Sequence, residues 1–319
     1  MKSTFKIRGI LAALVTVLAE LPGPAEAYVR TVTSAGVPTA WKAPCVNMEF
    51  SLGAFPLYLD AAGYLNAAQQ AGGAWTNASL DGANRCSNVR FSVESVPDVE
   101  GSVGLDGHNR LIFRQDKWCR EPPPTDPNES PCYDPSALAI TTTFQIKTTG
   151  EIVEADIEVN AVYLHWGDFV AEPGQFDSST HDFQGALTHE FGHILGLDHP
   201  CHISATNADG TPVSQPVDDL GNPVPTCGPD NPPSITDATM YPVVASPSSE
   251  VGLRSLSPDD AQGVCDIYPL SQNFVCLAPS TITTGTGGGG CSFPSSGRGG
   301  AISGVLVLLL LATRSRRRR

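Results

Sequence analysis

Residues 189–199 read His189-Glu190-Phe191-Gly192-His193-Ile194-Leu195-Gly196-Leu197-Asp198-His199. On an α-helix, positions i and i+4 share a face, so His189 and His193 can present a ring nitrogen to one point. Phe183, Leu187, Phe191 and Ile194 make the apolar stripe on another side of the same helix, so the histidines are not needed for packing. Gly196 permits the left-handed turn that ends a helix. The chain can then double back and bring His199 to the same point. Three neutral imidazoles with a fourth position open are the ligand set of a catalytic rather than a structural zinc ion. Glu190 adjoins His189 and can reach water at the open position, where it would act as general base. A chance HExxH in a chain of this composition is on the order of one in a hundred, and adding Gly196 and His199 lowers that to roughly one in a hundred thousand.

Working outward, the helix carrying these residues starts near Asp182. Upstream, Val46, Met48, Phe50 and Leu52 alternate with Asn47, Glu49 and Ser51, the pattern of a half-buried strand. Asp60 can cap a helix with apolar positions Leu65, Ala68, Gly72 and Trp75. Val89, Phe91 and Val93 give a second strand, Leu111 to Phe113 a third and Ala137 to Ile146 a fourth. After the turn Lys147-Thr148-Thr149-Gly150 comes a fifth, with Val153, Ala155, Ile157 and Val159 alternating against Glu154, Asp156, Glu158 and Asn160. Ser257-Pro258-Asp259-Asp260 is a capped helix start with proline at the first helical position, and Ala261, Val264 and Tyr268 supply its stripe. This order reads as an α/β (α+β) fold: a sheet with helices and one hairpin-paired antiparallel strand.

The chain has 319 residues, 41% of them hydrophobic, enough for a sizeable core. Its formal charge is −14, and nine of its 19 basic residues lie in positions 1–27 and 277–319, so the interval between is more acidic still. That excludes a nucleic-acid-binding core, which draws on clustered lysine and arginine. Nine cysteines in such a chain point to an oxidising compartment. Setting Cys291 apart leaves eight for four disulfides. Sequence does not fix their connectivity; pairing near neighbours gives Cys45–Cys86, Cys119–Cys132, Cys201–Cys227 and Cys265–Cys276.

Both ends read as addresses. Lys2, Lys6 and Arg8 precede the apolar run 9–19, and Pro22 to Ala27 supplies a breaker and a small-x-small site, so 1–27 reads as a signal peptide of an exported protein. Residues 277–290 form a Thr/Gly-rich linker. Cys291-Ser292, the apolar run Ala301 to Ala312 and Arg314 with Arg316 to Arg319 follow. Twelve apolar residues make a poor permanent membrane anchor but, backed by arginines, a transient stop at the inner membrane. The order of linker, Cys-Ser, apolar run and arginines resembles the three-part MYXO-CTERM sorting tails. That resemblance implies processing at Cys291 and carriage of the protein to the bacterial cell surface.

The segment 189–199 resembles the zinc signature HExxHxxGxxH of the metzincin metallopeptidases. Ala238-Thr239-Met240-Tyr241-Pro242 is similar to the Met-turn of that family, and its Met-Tyr-Pro order to the matrixin (peptidase M10) branch. Other branches place a tyrosine two residues after the methionine; here Pro242 stands there, so Tyr241 is not counted as a ligand. Leu256 to Asp260 looks like the start of the last matrixin helix. The resemblance spans about residues 46–270. It implies a zincin-like fold with a twisted five-stranded mixed sheet, three main helices and a zinc cleft. It further implies a zinc endopeptidase of protein or peptide substrates, acting as a monomer. His189, His193 and His199 would hold zinc, Glu190 would be the base, and Gly196 and Met240 would support the site. The strand 137–146 would be the edge along which substrate extends.

Three features depart from the matrixin pattern. No inhibitory cysteine segment precedes the first strand, and Cys45 reads instead as a staple. His165, Asp168 and His181 lie where matrixins hold a structural zinc, but their spacing does not match, so none is assigned. Calcium is conceivable at Asp168, Asp177 and Asp182, with solvated surface as the default. The loop Pro200 to Asp237 is longer than matrixins need, holds two similar turns at 207–213 and 218–224, and is expected to shape substrate choice. The competing readings are a surface binding or adhesion module on a protease fold and a metzincin of another branch. A degenerate protease would be expected to have lost Glu190 or a ligand, and none is lost.

Overall fold

The computed structural model describes residues 28–97, 103–120, 132–173, 179–203, 215–218, 220–244, 247–272, 274, 276, 302–308 and 311–312. The signal-peptide and linker segments, Cys291 and the arginines lie outside these, as do Asp177 and the turn at 207–213.

In chain order the elements are β1 (Val29–Arg30), β2 (Ala40–Trp41), β3 (Cys45–Ser51), α1 (Ala61–Thr76), β4 (Arg90–Val96), β5 (Asn109–Arg114), β6 (Ala139–Ile146) and β7 (Glu151–Asn160). There follow β8 (His165–Gly167), β9 (Thr180–Asp182), α2 (Phe183–Ile194), β10 (Leu197–Asp198), α3 (Pro233–Thr236), β11 (Val243–Val244), α4 (Pro247–Glu250) and a 3-10 turn, Val251–Arg254. The last are α5 (Pro258–Ile267), β12 (Ile302–Leu308) and β13 (Leu311–Ala312).

The fold is mixed α/β with a mostly parallel sheet. That sheet has seven strands, ordered β12-β6-β7-β5-β3-β4, with β2 pairing the start of β7. β3 runs parallel to β4 and β5, and β5 parallel to β7, while β6 is the hairpin partner of β7 and antiparallel to it. The five strands expected are all present. The two additions are the short β2 and β12, both poorly marked by alternation. The run 302–308, within the apolar segment read as a transient membrane stop, is extended. It pairs antiparallel with β6 from Ile302↔Ile146 to Leu308↔Ile140, where the free backbone groups of an edge strand offer partners. β13 then pairs parallel with β11. Among the described residues no helix is long and apolar enough to cross a membrane.

The three main helices are α1, α2 and α5. Asp60 caps α1 as expected, accepting from the Ala62 and Gly63 amides. Its buried face runs through Tyr64, Ala67, Ala68, Ala71, Gly72 and Trp75, whereas Leu65 is only half-buried. Gly72 lets the helix close on Phe91 and Phe191, whose rings stack at 4.7 Å. Ala155, Ile157 and Val159 of β7 join the same core.

The opposite face of β7 is polar yet covered. Glu154, Asp156 and Glu158 are not solvated but buried. Glu154 accepts from the amides of Asp106 and Gly107, Asp156 from those of Gly104 and Arg110, and Glu158 from Arg114 and Tyr133. Burial pushes the Asp156 carboxyl up to about 7.

Four disulfides link the eight cysteines. Cys119–Cys132 and Cys201–Cys227 pair as expected; the other two do not. Cys45 joins Cys276 and Cys86 joins Cys265. The segment after α5 returns against the entry to β4, where Ser87 bridges Pro269 and the Asn88 amide bonds the Tyr268 carbonyl. That contact brings Cys86 and Cys265 together across 179 residues, so pairing by sequence proximity fails there. Four disulfides are consistent with an extracellular or secreted protein.

Candidate metal centre

Asp182 starts α2, its carboxylate accepting from the Gly185 amide at 2.7 Å. It is also gripped by Arg254, which reaches Asp168 as well. Beside it, His181 Nδ1 and Glu250 Oε1 are 2.7 Å apart. Asp168 and Asp182 are therefore ion-paired, and Asp182 is buried rather than solvated surface. His165 is exposed against Tyr58, and His165, Asp168 and His181 do not form a cluster of three metal-ligating groups.

The C-terminal end of α2 leaves carbonyls without helical partners. Trp41 Nε1 donates to the Ile194 carbonyl at 2.8 Å and Tyr268 Oη to that of Leu195 at 2.9 Å. Gly196 has φ 86°, and a Cβ there would collide with the Thr39 carbonyl, so glycine is required by both conformation and space. β10 then runs back, held by β1 and by the Thr31 amide on the Gly196 carbonyl.

The result is the convergence expected from the sequence. The Nε2 atoms of His189, His193 and His199 stand 3.1 Å from one another in all three pairs. Nδ1 of His189 faces the Thr239 carbonyl at 2.7 Å and Nδ1 of His193 the Leu197 carbonyl at 2.9 Å. A carbonyl only accepts, so those Nδ1 atoms carry the protons and both Nε2 lone pairs point inward. Burial pushes all three imidazoles down, His193 to about 4, which favours the neutral ligand form. Converging lone pairs repel unless a cation lies between them. Nitrogens bound at about 2.0–2.1 Å to one tetrahedral ion stand about 3.3–3.4 Å apart, so the triad fits a metal of that size. Among the described residues this is the one cluster of metal-ligating groups.

Glu190 is buried, and burial pushes its carboxyl up to about 7. Oε2 accepts from the Thr141 hydroxyl at 2.6 Å, while Oε1 has no hydrogen-bond partner. Met240 lies under α2, where a Cβ on Gly192 would overlap its sulfur. The peptide units of Thr239 and Met240 are fixed by Asp260, which accepts from both amides.

Sequence reasoning located the three histidines, Glu190, Gly196 and Met240. It missed Thr141, Trp41, Asp260 and Tyr268. Asp260 had a visible role as part of a capped helix start. Nothing in the sequence linked the others to a site far along the chain.

No family model matches the chain, and no curated protein matches it. Among solved structures, the "GM1 bound form of the ECX AB5 holotoxin" is similar at 15% identity with a TM-score of 0.32, over 77% of this chain and 91% of that one. A likeness at that score carries no argument about this protein.

Proposed function

We propose that this protein is an exported zinc endopeptidase of the metzincin type with matrixin-like motifs. The observation that carries the reading is the inward convergence of three imidazole Nε2 atoms, with the neighbouring residue Glu190 buried and one of its carboxylate oxygens free. His189, His193 and His199 would hold the ion. When bound, zinc supplies a Lewis acid that polarises the scissile carbonyl and acidifies the attacking water.

The chain's own groups do the rest. Glu190 Oε1 takes a proton from the attacking water and delivers it to the leaving amine. β6 gives an extended peptide a row of backbone partners, an affinity with little side-chain selectivity. In the full chain the same edge pairs with β12, so a substrate competes with the tail for that place. Four disulfides support action outside the cytoplasm, and the tail motif supports sorting to the cell surface. The large acidic excess gives no support to a nucleic-acid partner.

Metal analysis of the full chain, with cleavage of an unstructured protein and of a peptide library before and after chelation, tests this. One zinc per chain is expected, with cleavage lost on chelation and regained with zinc. His199→Ala should lower zinc content. Full occupancy at ordinary affinity in that variant would place the third ligand elsewhere. Ligand binding without cleavage of any peptide would favour a binding module.

A further inference from the structure

We propose that Thr141 is a positioning residue for Glu190, tying the base to the strand along which substrate would lie; this rests on the peptidase reading above. Thr141 is buried in β6 and donates its hydroxyl to Glu190 Oε2 at 2.6 Å. A hydroxyl has one proton. The Glu190 backbone carbonyl, also near Thr141 Oγ1 but at 3.3 Å, is the weaker partner. A short bond from a neutral donor to a carboxylate is charge-assisted, about twice as strong as a neutral pair. It fixes the carboxylate plane and distinguishes its two oxygens. Oε2 is occupied, and Oε1 remains buried without a partner, free to handle the proton.

Two features make this more than packing. Among the described residues, Thr141 is the one side chain shown donating to this carboxylate. Its place in β6 is also specific. On one side its backbone pairs with Ile157 of β7; on the other lies the edge that takes an antiparallel strand. The hydroxyl that aims the base is therefore only three covalent bonds from the backbone nitrogen of the strand on which a peptide would dock. An error of 1 Å in such placement is costly to a proton transfer.

The test compares Thr141→Val, which removes the hydroxyl while keeping the branched shape, with Thr141→Ser, which keeps the hydroxyl. Both are made in the full chain, loaded with zinc and assayed on one peptide. For T141V, kcat is expected to fall about ten- to hundredfold, the loss of one hydrogen bond to a charged group, with KM changed by less than about twofold. Zinc content should match wild type. T141S should recover kcat to within about threefold. If T141V does not fold, as judged by thermal melting, T141A is held to the same criteria. Wild-type kcat in T141V, or equal loss in T141S and T141V, would overturn the positioning role while leaving the peptidase reading intact. No cleavage by zinc-loaded wild type would overturn both.

Discussion

His189 and Thr239 are joined by a 2.7 Å hydrogen bond from the imidazole Nδ1 to a backbone carbonyl 50 residues downstream. The amide of that same Thr239 is held by Asp260 at the start of α5. A buried carboxylate in the last helix therefore reaches a candidate ligand through one residue of the Met240 turn. Metal-ligating histidines depend on such outer partners for ring orientation and basicity.

Asp260→Ala should accordingly act at a distance. It strands the Thr239 and Met240 amides and releases the turn under His189. Zinc affinity is expected to fall about ten- to hundredfold, and stability by about 1–3 kcal/mol for the unsatisfied groups. Competition with a chelator and calorimetric melting read the two effects. Unchanged affinity with lowered stability would separate Asp260 from the site.

Two glycines should respond in opposite directions to alanine. At Gly192 a Cβ would overlap the Met240 sulfur and approach Trp75 at 2.8 Å, so Gly192→Ala should destabilise by about 1–3 kcal/mol through overpacking. At Gly73, in the same kind of helical backbone, nothing lies within 4 Å of the added Cβ. Gly73→Ala should stabilise by about 0.4–1 kcal/mol. Denaturant unfolding of both variants checks the contrast.

Zinc affinity should respond weakly to pH above the ordinary imidazole value of 6.5. Burial holds all three imidazoles below it, His193 at about 4. The folded site binds fewer protons than free histidines would, so protons compete with metal only in the acid range. Titrations between pH 8 and 5 should show a nearly flat affinity that declines at the acid end. A steep loss already between pH 8 and 7 would contradict neutral, buried ligands.

Chains ending at Gly290 should handle peptides better than the full chain. β12 lies on the β6 edge and β13 on β11, just past the Met240 turn, so the tail competes for the surface proposed to hold substrate. Removing it should lower KM with kcat little changed. Identical KM in the two forms would mean that the tail does not obstruct that edge.

Local patterns carried much of this into the sequence. The spacing of His189, His193, Gly196 and His199 fixes a helix, its end and a reversal, and each is a short-range property. Of the five central strands, β3, β4 and β7 are legible from alternation and β5 from a short apolar run, and the α1 and α5 caps from Asp60 and Ser257. What failed was long-range. Alternation in β7 could not say that Glu154, Asp156 and Glu158 would be covered by loops that supply amides and arginines. Proximity along the chain could not pair Cys45 with Cys276, because the return of the C-terminal segment decides that contact. Thr141 was simply one polar residue in a Thr-rich strand; only the packing of β6 against α2 puts its hydroxyl on Glu190.

The central claim is that Glu190 is the base beside a histidine-held zinc, and Glu190→Gln in the full chain tests it most directly. The variant keeps all three imidazoles, so zinc content and melting temperature should stay near wild type while peptide cleavage falls at least about a hundredfold. Zinc-loaded E190Q cleaving peptide at the wild-type rate would contradict the account.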